Sequence, residues 1–150
     1  MISKLYYLYS VSFKPMTMKH YEVVAAVVVH QDKILCVQRG DGKYAYVSRK
    51  YEFPGGKVET DETEEEALLR EIKEELDMSI SIESKLITVD HDYPDFHITM
   101  HTYLCSCENP ELTLSEHIDY KWLSQTELKM LDWAAADIPI VERLETLEMA

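Results

Sequence analysis

Three glutamates, Glu71, Glu74 and Glu75, lie close together in GGKVETDETEEEALLREIKEELDM, the stretch from Gly55 to Met78. On a helix the pairs 71/74 and 71/75 are i,i+3 and i,i+4 neighbours, and like charges so placed cost about 0.2–0.5 kcal/mol each. Glu64, Glu65 and Glu66 fall in the first turn, where the helix dipole favours negative charge, and need no function. The later three lack that help. A hard divalent cation offsets such repulsion: Mg²⁺ takes oxygen ligands, commonly one or two carboxylates, with water and phosphate completing the shell, and Mn²⁺ can substitute. A solvated helix face is the commoner reason for a charge run. The three acids alone leave both readings open.

The element that positions them announces itself. Thr63 followed three residues later by Glu66 is a capping box, in which each side chain satisfies an orphan backbone N–H, so a helix starts near Thr63. Along it Leu68, Leu69, Ile72 and Leu76 fall on one arc, and the three acids on another about 125° away. One arc packs and the other presents carboxylates. Before the helix, Pro54-Gly55-Gly56 marks a sharp turn whose backbone can approach a ligand closely.

The full spacing is more specific than the acids. Gly56, Glu62, Arg70-Glu71-Ile72, Glu74-Glu75 and Met78 resemble the Nudix box, G-x5-E-x7-R-E-U-x-E-E-x-G-U, with U a bulky aliphatic residue. Asp77 stands where the family usually has glycine, and Asp tolerates left-handed geometry better than most residues. The resemblance covers Tyr21 to about Leu144 and looks most like the MutT and CTP pyrophosphohydrolase branch, supported by Glu52-Phe53-Pro54-Gly55-Gly56-Lys57, Tyr93-Pro94-Asp95 and Ala136-Asp137-Ile138-Pro139. It implies an α/β fold, an α/β/α sandwich around a mixed sheet. It also implies Mg²⁺-dependent hydrolysis of a nucleoside triphosphate to a monophosphate and pyrophosphate, clearing cytosine or oxidised nucleotides from the pool.

By the same resemblance, Glu71, Glu74, Glu75 and the Gly55 carbonyl hold metal, and one of these carboxylates, or Glu116, helps deprotonate the water. Arg70 pairs with the box glutamates, Glu62 braces the loop and Gly56 belongs to the turn. Arg39, Glu52, Phe53, Pro54, Gly55, Lys57 and Asp137 surround the substrate. Asp137 has two readings from sequence, as N-cap of the last helix or as a pocket acid. An ionised carboxylate there only accepts hydrogen bonds and favours a base edge that offers an amine, as cytosine or guanine does, and a protonated one also donates. Two alternatives remain: hydrolysis of a nucleoside diphosphate linked to another group, such as ADP-ribose, and a silent nucleotide-sensing or Ca²⁺-binding module. Intact box acids count against the second.

Composition narrows the partners. The 150 residues hold 28 acids and 15 bases, a formal net charge of −13, which argues against a nucleic-acid polymer or an anionic membrane. A small polyanion escorted by Mg²⁺ stays compatible, with the protein a monomer or homodimer. Cys36, Cys105 and Cys107 lack zinc-type spacing and read as reduced thiols of a cytoplasmic protein. Residues 1–19 are tyrosine-rich without a small-residue cleavage site, and are expected to be an extension, disordered or an edge strand, before a domain at 20–150.

In chain order, Tyr21–Val29 is a β-branched run that reads as a strand buried on both faces. Ile34–Gln38 is a second strand and Gly40–Lys50 a flexible loop. Ile80–Val89, with an irregularity near Ser84, and His97–Cys107 alternate as strands. His97 and His101 are about 13 Å apart when extended and share no metal. Asp119–Leu123 is a short strand, Ser124 with Glu127 starts a short helix, and Asp137 opens a final helix to about Leu147.

Overall fold

The structure, a computed structural model, describes residues 18–149. Its strands are β1 Lys19–His30, β2 Lys33–Gln38, β3 Tyr51–Glu52, β4 Gly55–Lys57, β5 Ser81–Asp92, β6 Phe96–Ser106 and β7 Asp119–Leu123. Helix α1 spans Glu64–Leu76 and α2 spans Ile138–Thr146, with 3-10 helices at Gln125–Met130 and Ala135–Asp137. β1 begins at Lys19, inside the stretch assigned above to an extension. The rest of that expectation, at 1–17, lies outside the described residues.

β1 is the spine of the sheet because its valine and alanine run can be buried on either side. It pairs in parallel with β6 from Lys19↔Phe96 to Val29↔Ser106, and β5 adds antiparallel at the far edge of β6. On its other edge β1 is shared: Val23–Ala25 pair with β4, and Val29 and His30 pair with β2. Between those two pairings β1 and β2 diverge, and residues 51–57 cross from β2 to β1. That gap is where the site lies.

Two cores cover the two faces. Val24, Ala26 and Val28 point toward Leu68, Ile72 and Leu76 of α1, while Ala25 and Val27 point toward Phe53, Trp133 and Ile140 and Leu144 of α2. The sandwich expected from sequence is therefore present. Leu68, Ile72 and Leu76 are fully buried, so truncating Ile72 to alanine costs about 2–5 kcal/mol. Leu69 differs from expectation: it is 44% exposed, and Ala67 is the buried residue instead. The helix rolls so that its narrow stripe faces β1, which leaves Leu69 on the rim of an open groove with Ile82 and Tyr103.

Local signals translated directly. Thr63 accepts from the Glu66 N–H and Glu66 accepts from the Thr63 N–H, and Asp77 closes α1 in the left-handed region at φ 52°. β5 carries register shifts after Ile82 and Lys85. His97 pairs with Asp92 and Asp90, and His101 with Glu22, so both are hydrogen-bonded surface histidines. Cys36 and Cys105 are buried and free, and Cys107 is half-buried. The 40–50 loop folds into turns, with Val47 buried.

Candidate active site

Four segments meet at the gap between β1 and β2. On α1, Glu71 and Glu75 lie one turn apart on the same edge, beside the stripe that packs. Across from them β4 runs against β1 so closely that a Cβ on Gly55 would overlap the Val24 carbonyl, and a Cβ on Gly56 would overlap the Glu71 carboxylate. Glycine at 56 is what leaves room for Glu71. The Ala26 N–H donates to the Pro54 carbonyl and the Val58 N–H to the Glu22 carbonyl. Antiparallel alternation then turns the Gly55 carbonyl outward, away from β1.

Arg70 binds this corner together. Its guanidinium donates to both oxygens of Glu62, to the Lys57 carbonyl at 3.0 Å, to Glu71 at 3.1 Å and to Glu74 at 3.2 Å. The hydrogen bond from Arg70 holds the Glu62 carboxyl below its ordinary range. Glu62 in turn accepts from the Glu59 N–H. Loop 57–62 and the helix are thus one unit.

The third segment is docked by helix-end chemistry. The last carbonyls of a helix lack intrahelical partners, and here the Leu76 carbonyl accepts from the Thr113 N–H and the Glu75 carbonyl from Ser115. The Ile118 N–H donates to the Gln38 carbonyl. Between these anchors Glu116 and His117 are carried to the acids. His117 Nε2 lies 2.9 Å from Glu52, whose other oxygen accepts from Arg39 at 3.2 Å.

These residues line a cleft of about 920 Å³. Arg39, Glu52, Phe53, Gly55, Gly56, Lys57, Glu71, Glu75, Glu116 and Asp137 all reach it, whereas Pro54, Glu62, Arg70 and Glu74 do not line it. Glu74 is 60% exposed on the outer side of Arg70. A second groove of about 620 Å³, against β5, shares no residue with the cleft.

Charge in the cleft is unevenly solvated. Burial first, then the charges of Glu71, Glu52 and Glu116, push the Glu75 carboxyl up to about 7, with His117 pulling the other way. Glu75 Oε1 is buried without a hydrogen-bond partner. Two carboxylates and an outward carbonyl form an all-oxygen donor set, which suits a hard divalent cation that completes its shell with water and phosphate. Among the described residues no three acid, histidine or cysteine side chains form a metal-holding group by themselves. The donors present therefore fit a cation shared with substrate.

The opposite end is apolar and aromatic. Tyr44, Tyr93, Phe96 and Phe53 line it, Tyr46 stacks between Tyr44 and Tyr93, and the Tyr46 hydroxyl donates to Asp95 at 2.8 Å. Lys57 Nζ lies 4.2 Å from the Tyr21 ring centroid. Asp137 sits at the base, 5% exposed. It occupies the N-cap position of α2 but makes no capping bond there; its Oδ2 accepts from the Phe53 N–H at 3.0 Å instead. Burial, and next the Glu52 charge, raise its pKa well above the ordinary carboxylate range. The cap reading is corrected, since the side chain makes no capping bond; as a pocket acid Asp137 lines the cleft, and its burial favours the neutral form, which donates as well as accepts.

Sequence reading missed His117, Glu59 and the tyrosines of loop 40–50. No spacing rule links them to the helix. The signal available for His117 was only its place beside Glu116, and for the tyrosines a concentration of aromatics in a polar loop.

Known proteins resemble this chain in sequence and fold. The family pattern described as a NUDIX domain matches residues 23–143. The chain is 33% identical to the CTP pyrophosphohydrolase of Escherichia coli K12, over 89% of this chain and 97% of that one. It is 28% identical to the 8-oxo-dGTP diphosphatase of the same organism, over 87% and 100%. The solution structure of the MutT protein from methicillin-resistant Staphylococcus aureus 252 superposes with a TM-score of 0.68 at 41% identity, covering 87% of this chain and 98% of that one. Box residues, sandwich and match over most of its length agree, and the chain belongs to the Nudix hydrolase family.

Proposed function

We propose that this Nudix pyrophosphohydrolase converts a ribo- or deoxynucleoside triphosphate with a cytosine or oxidised base to its monophosphate and pyrophosphate, in a Mg²⁺-dependent reaction that cleans the cytoplasmic nucleotide pool. The carrying observation is one continuous cleft with Glu71 and Glu75 at one end and a buried carboxyl among aromatic rings at the other. The first suits a phosphate chain escorted by a cation, and the second a base.

Each residue then has a task. Glu71, Glu75 and the Gly55 carbonyl would hold the cation, and Glu74 supports them through Arg70. When bound, Mg²⁺ supplies Lewis-acid polarisation of the phosphoryl oxygens. Glu116 or a box carboxylate orients the attacking water and accepts its proton. Arg70 and Glu62 keep loop and helix in register, and a misplacement of about 1 Å at such a site costs about 10²-fold in rate. Lys57 and Arg39 line the cleft and offer cationic contacts to the phosphates. Phe53 and the tyrosines stack the base, while Asp137 hydrogen-bonds its edge.

The test is a panel of dCTP, 5-methyl-dCTP, 8-oxo-dGTP, 2-hydroxy-dATP and ADP-ribose, with products identified. Monophosphate and pyrophosphate from a triphosphate, lost with chelator and restored by Mg²⁺ or Mn²⁺, is the expected result. ADP-ribose as the sole good substrate would replace it with the diphosphate-linked reading.

A further inference from the structure

We propose that His117 contacts the substrate itself: its Nδ1 donates a hydrogen bond to an oxygen of the phosphate chain, and Glu52, anchored by Arg39, fixes the ring for that purpose. The inference rests on the phosphoanhydride reading above and adds to the site a residue outside the box.

The geometry begins with Nε2. It lies 2.9 Å from a Glu52 carboxylate oxygen, and an ionised carboxylate only accepts, so Nε2 carries a hydrogen. The other Glu52 oxygen is held by Arg39 at 3.2 Å. Ser115 on the Glu75 carbonyl and Ile118 on the Gln38 carbonyl pin the backbone on both sides. Ring position and orientation are therefore set. The His117 side chain is only 6% exposed, it lines the cleft, and its Nδ1 is buried without a partner.

A purely structural histidine would satisfy both nitrogens, since burying an unmatched polar group costs about 1–3 kcal/mol. Here one nitrogen is committed to Glu52, and the other is buried without a partner on a side chain that lines the cleft a polyanion must enter. Glu52, Glu71, Glu75 and Glu116 are among the acids that line that cleft, so a donor beside them lowers the repulsion a phosphate would meet. Burial works to lower the His117 pKa, but the Glu52 hydrogen bond and the charges of Glu52 and Glu75 prevail and raise it, which favours the doubly protonated ring with an Nδ1–H. Phosphate oxygens accept and do not donate, so that hydrogen matches them.

The experiment joins kinetics to spectroscopy. His117→Ala is expected to lower kcat/KM about 100-fold, the scale of one lost donor to a developing negative charge, and His117→Asn, whose amide nitrogen falls near the Nδ1 position, to recover part of it. In ¹⁵N-histidine-labelled wild-type protein, a methylene-bridged, non-hydrolysable analogue of the best triphosphate, added with Mg²⁺, should shift the Nδ1 signal that is missing from His117→Asn. With the signal so assigned, the wild-type spectrum decides even where His117→Ala fails to fold. Turnover within twofold of wild type in folded His117→Ala, or an Nδ1 signal unmoved at analogue concentrations that inhibit the enzyme, overturns the contact and leaves the phosphoanhydride reading standing. A wild-type protein that cleaves no compound of the panel overturns that reading, and this inference with it.

Discussion

At one end of the cleft Glu71 and Glu75 stand on a single helix, whose start is fixed by Thr63 and Glu66 and whose register is fixed by four buried apolar residues. At the other end Asp137, Phe53, the pair Tyr93 and Phe96, and the 40–50 loop arrive from four separate places along the chain. The acid end is determined locally, so replacing a residue there disturbs charge and leaves the frame. The aromatic end exists only through tertiary packing, so a replacement there disturbs the frame as well. Chemistry and selectivity thus have different tolerances in one cavity.

The largest effect should come from Glu75→Gln, which removes the least solvated charge of the acid end. Turnover at saturating Mg²⁺ is expected to fall about 10³-fold, near the upper range for loss of one electrostatic contact in an active site. The melting temperature should hold or rise, because burial and neighbouring acids already oppose ionisation there. Wild-type turnover in this variant would sink the assignment of the acid end.

Gly56→Ala sharpens the same point from across the cleft. The three atoms nearest the added Cβ all belong to the Glu71 carboxylate, the tip of a side chain that can swing aside. Stability should change by less than about 1 kcal/mol while kcat falls about 10²-fold, the cost of a misplaced reacting group. Thermal melting and steady-state kinetics on one preparation separate the two.

At the aromatic end, Asp137→Leu leaves the Phe53 N–H without its acceptor and should cost about 1–3 kcal/mol of stability, together with discrimination between bases. Asp137→Asn is the finer probe. A neutral carboxyl already donates and accepts, so the amide should leave the order of substrates unchanged, with ratios within about threefold. A reordered panel would mean that the group works ionised.

The smallest effect is on pH dependence. The folded protein holds Glu75 near 7, above its ordinary 4.5, so the fold favours the protonated form. That stabilisation is complete below about 4.5 and disappears as pH rises through about 7. His117, also raised, contributes with the same sign. Metal-free protein should lose on the order of 1 kcal/mol between pH 6 and 8, after allowance for solvent screening. Glu75→Gln should flatten most of that slope, and Mg²⁺ at pH 8 should restore the lost stability in wild type. Denaturant titrations at both pH values measure it.

How much of this was legible in the sequence follows the same division. The capping box, the left-handed Asp77 and the register of Glu71 with Glu75 depend on residues within four positions of one another, so they could be read from spacing. The β1 valine run declared a strand buried on both faces for a similar reason. The crossing at 51–57 was readable only as a turn, because its two short strands exist through partners on β1 and β2. Leu69 was misplaced because periodicity defines an arc, and only packing against the sheet decides which part of it is covered. The sequence reading leans toward an ionised Asp137, whereas its burial favours the neutral form, and burial is not stated by a sequence. His117 stayed hidden for want of any fixed distance in sequence to Glu52, 65 residues away.

The burial of the sulfurs carries a consequence for reactivity. Desolvation pushes the thiols of Cys36 and Cys105 up to about 12, and Cys107, half-buried, is raised by the same cause. Alkylators, peroxides and disulfides attack the thiolate, a form that Cys36 and Cys105 scarcely populate at neutral pH. Two of the three thiols are thus held in the form that oxidants attack least. The folded enzyme should keep its activity in air without added reductant, and a maleimide should label Cys107 well before either of the other two.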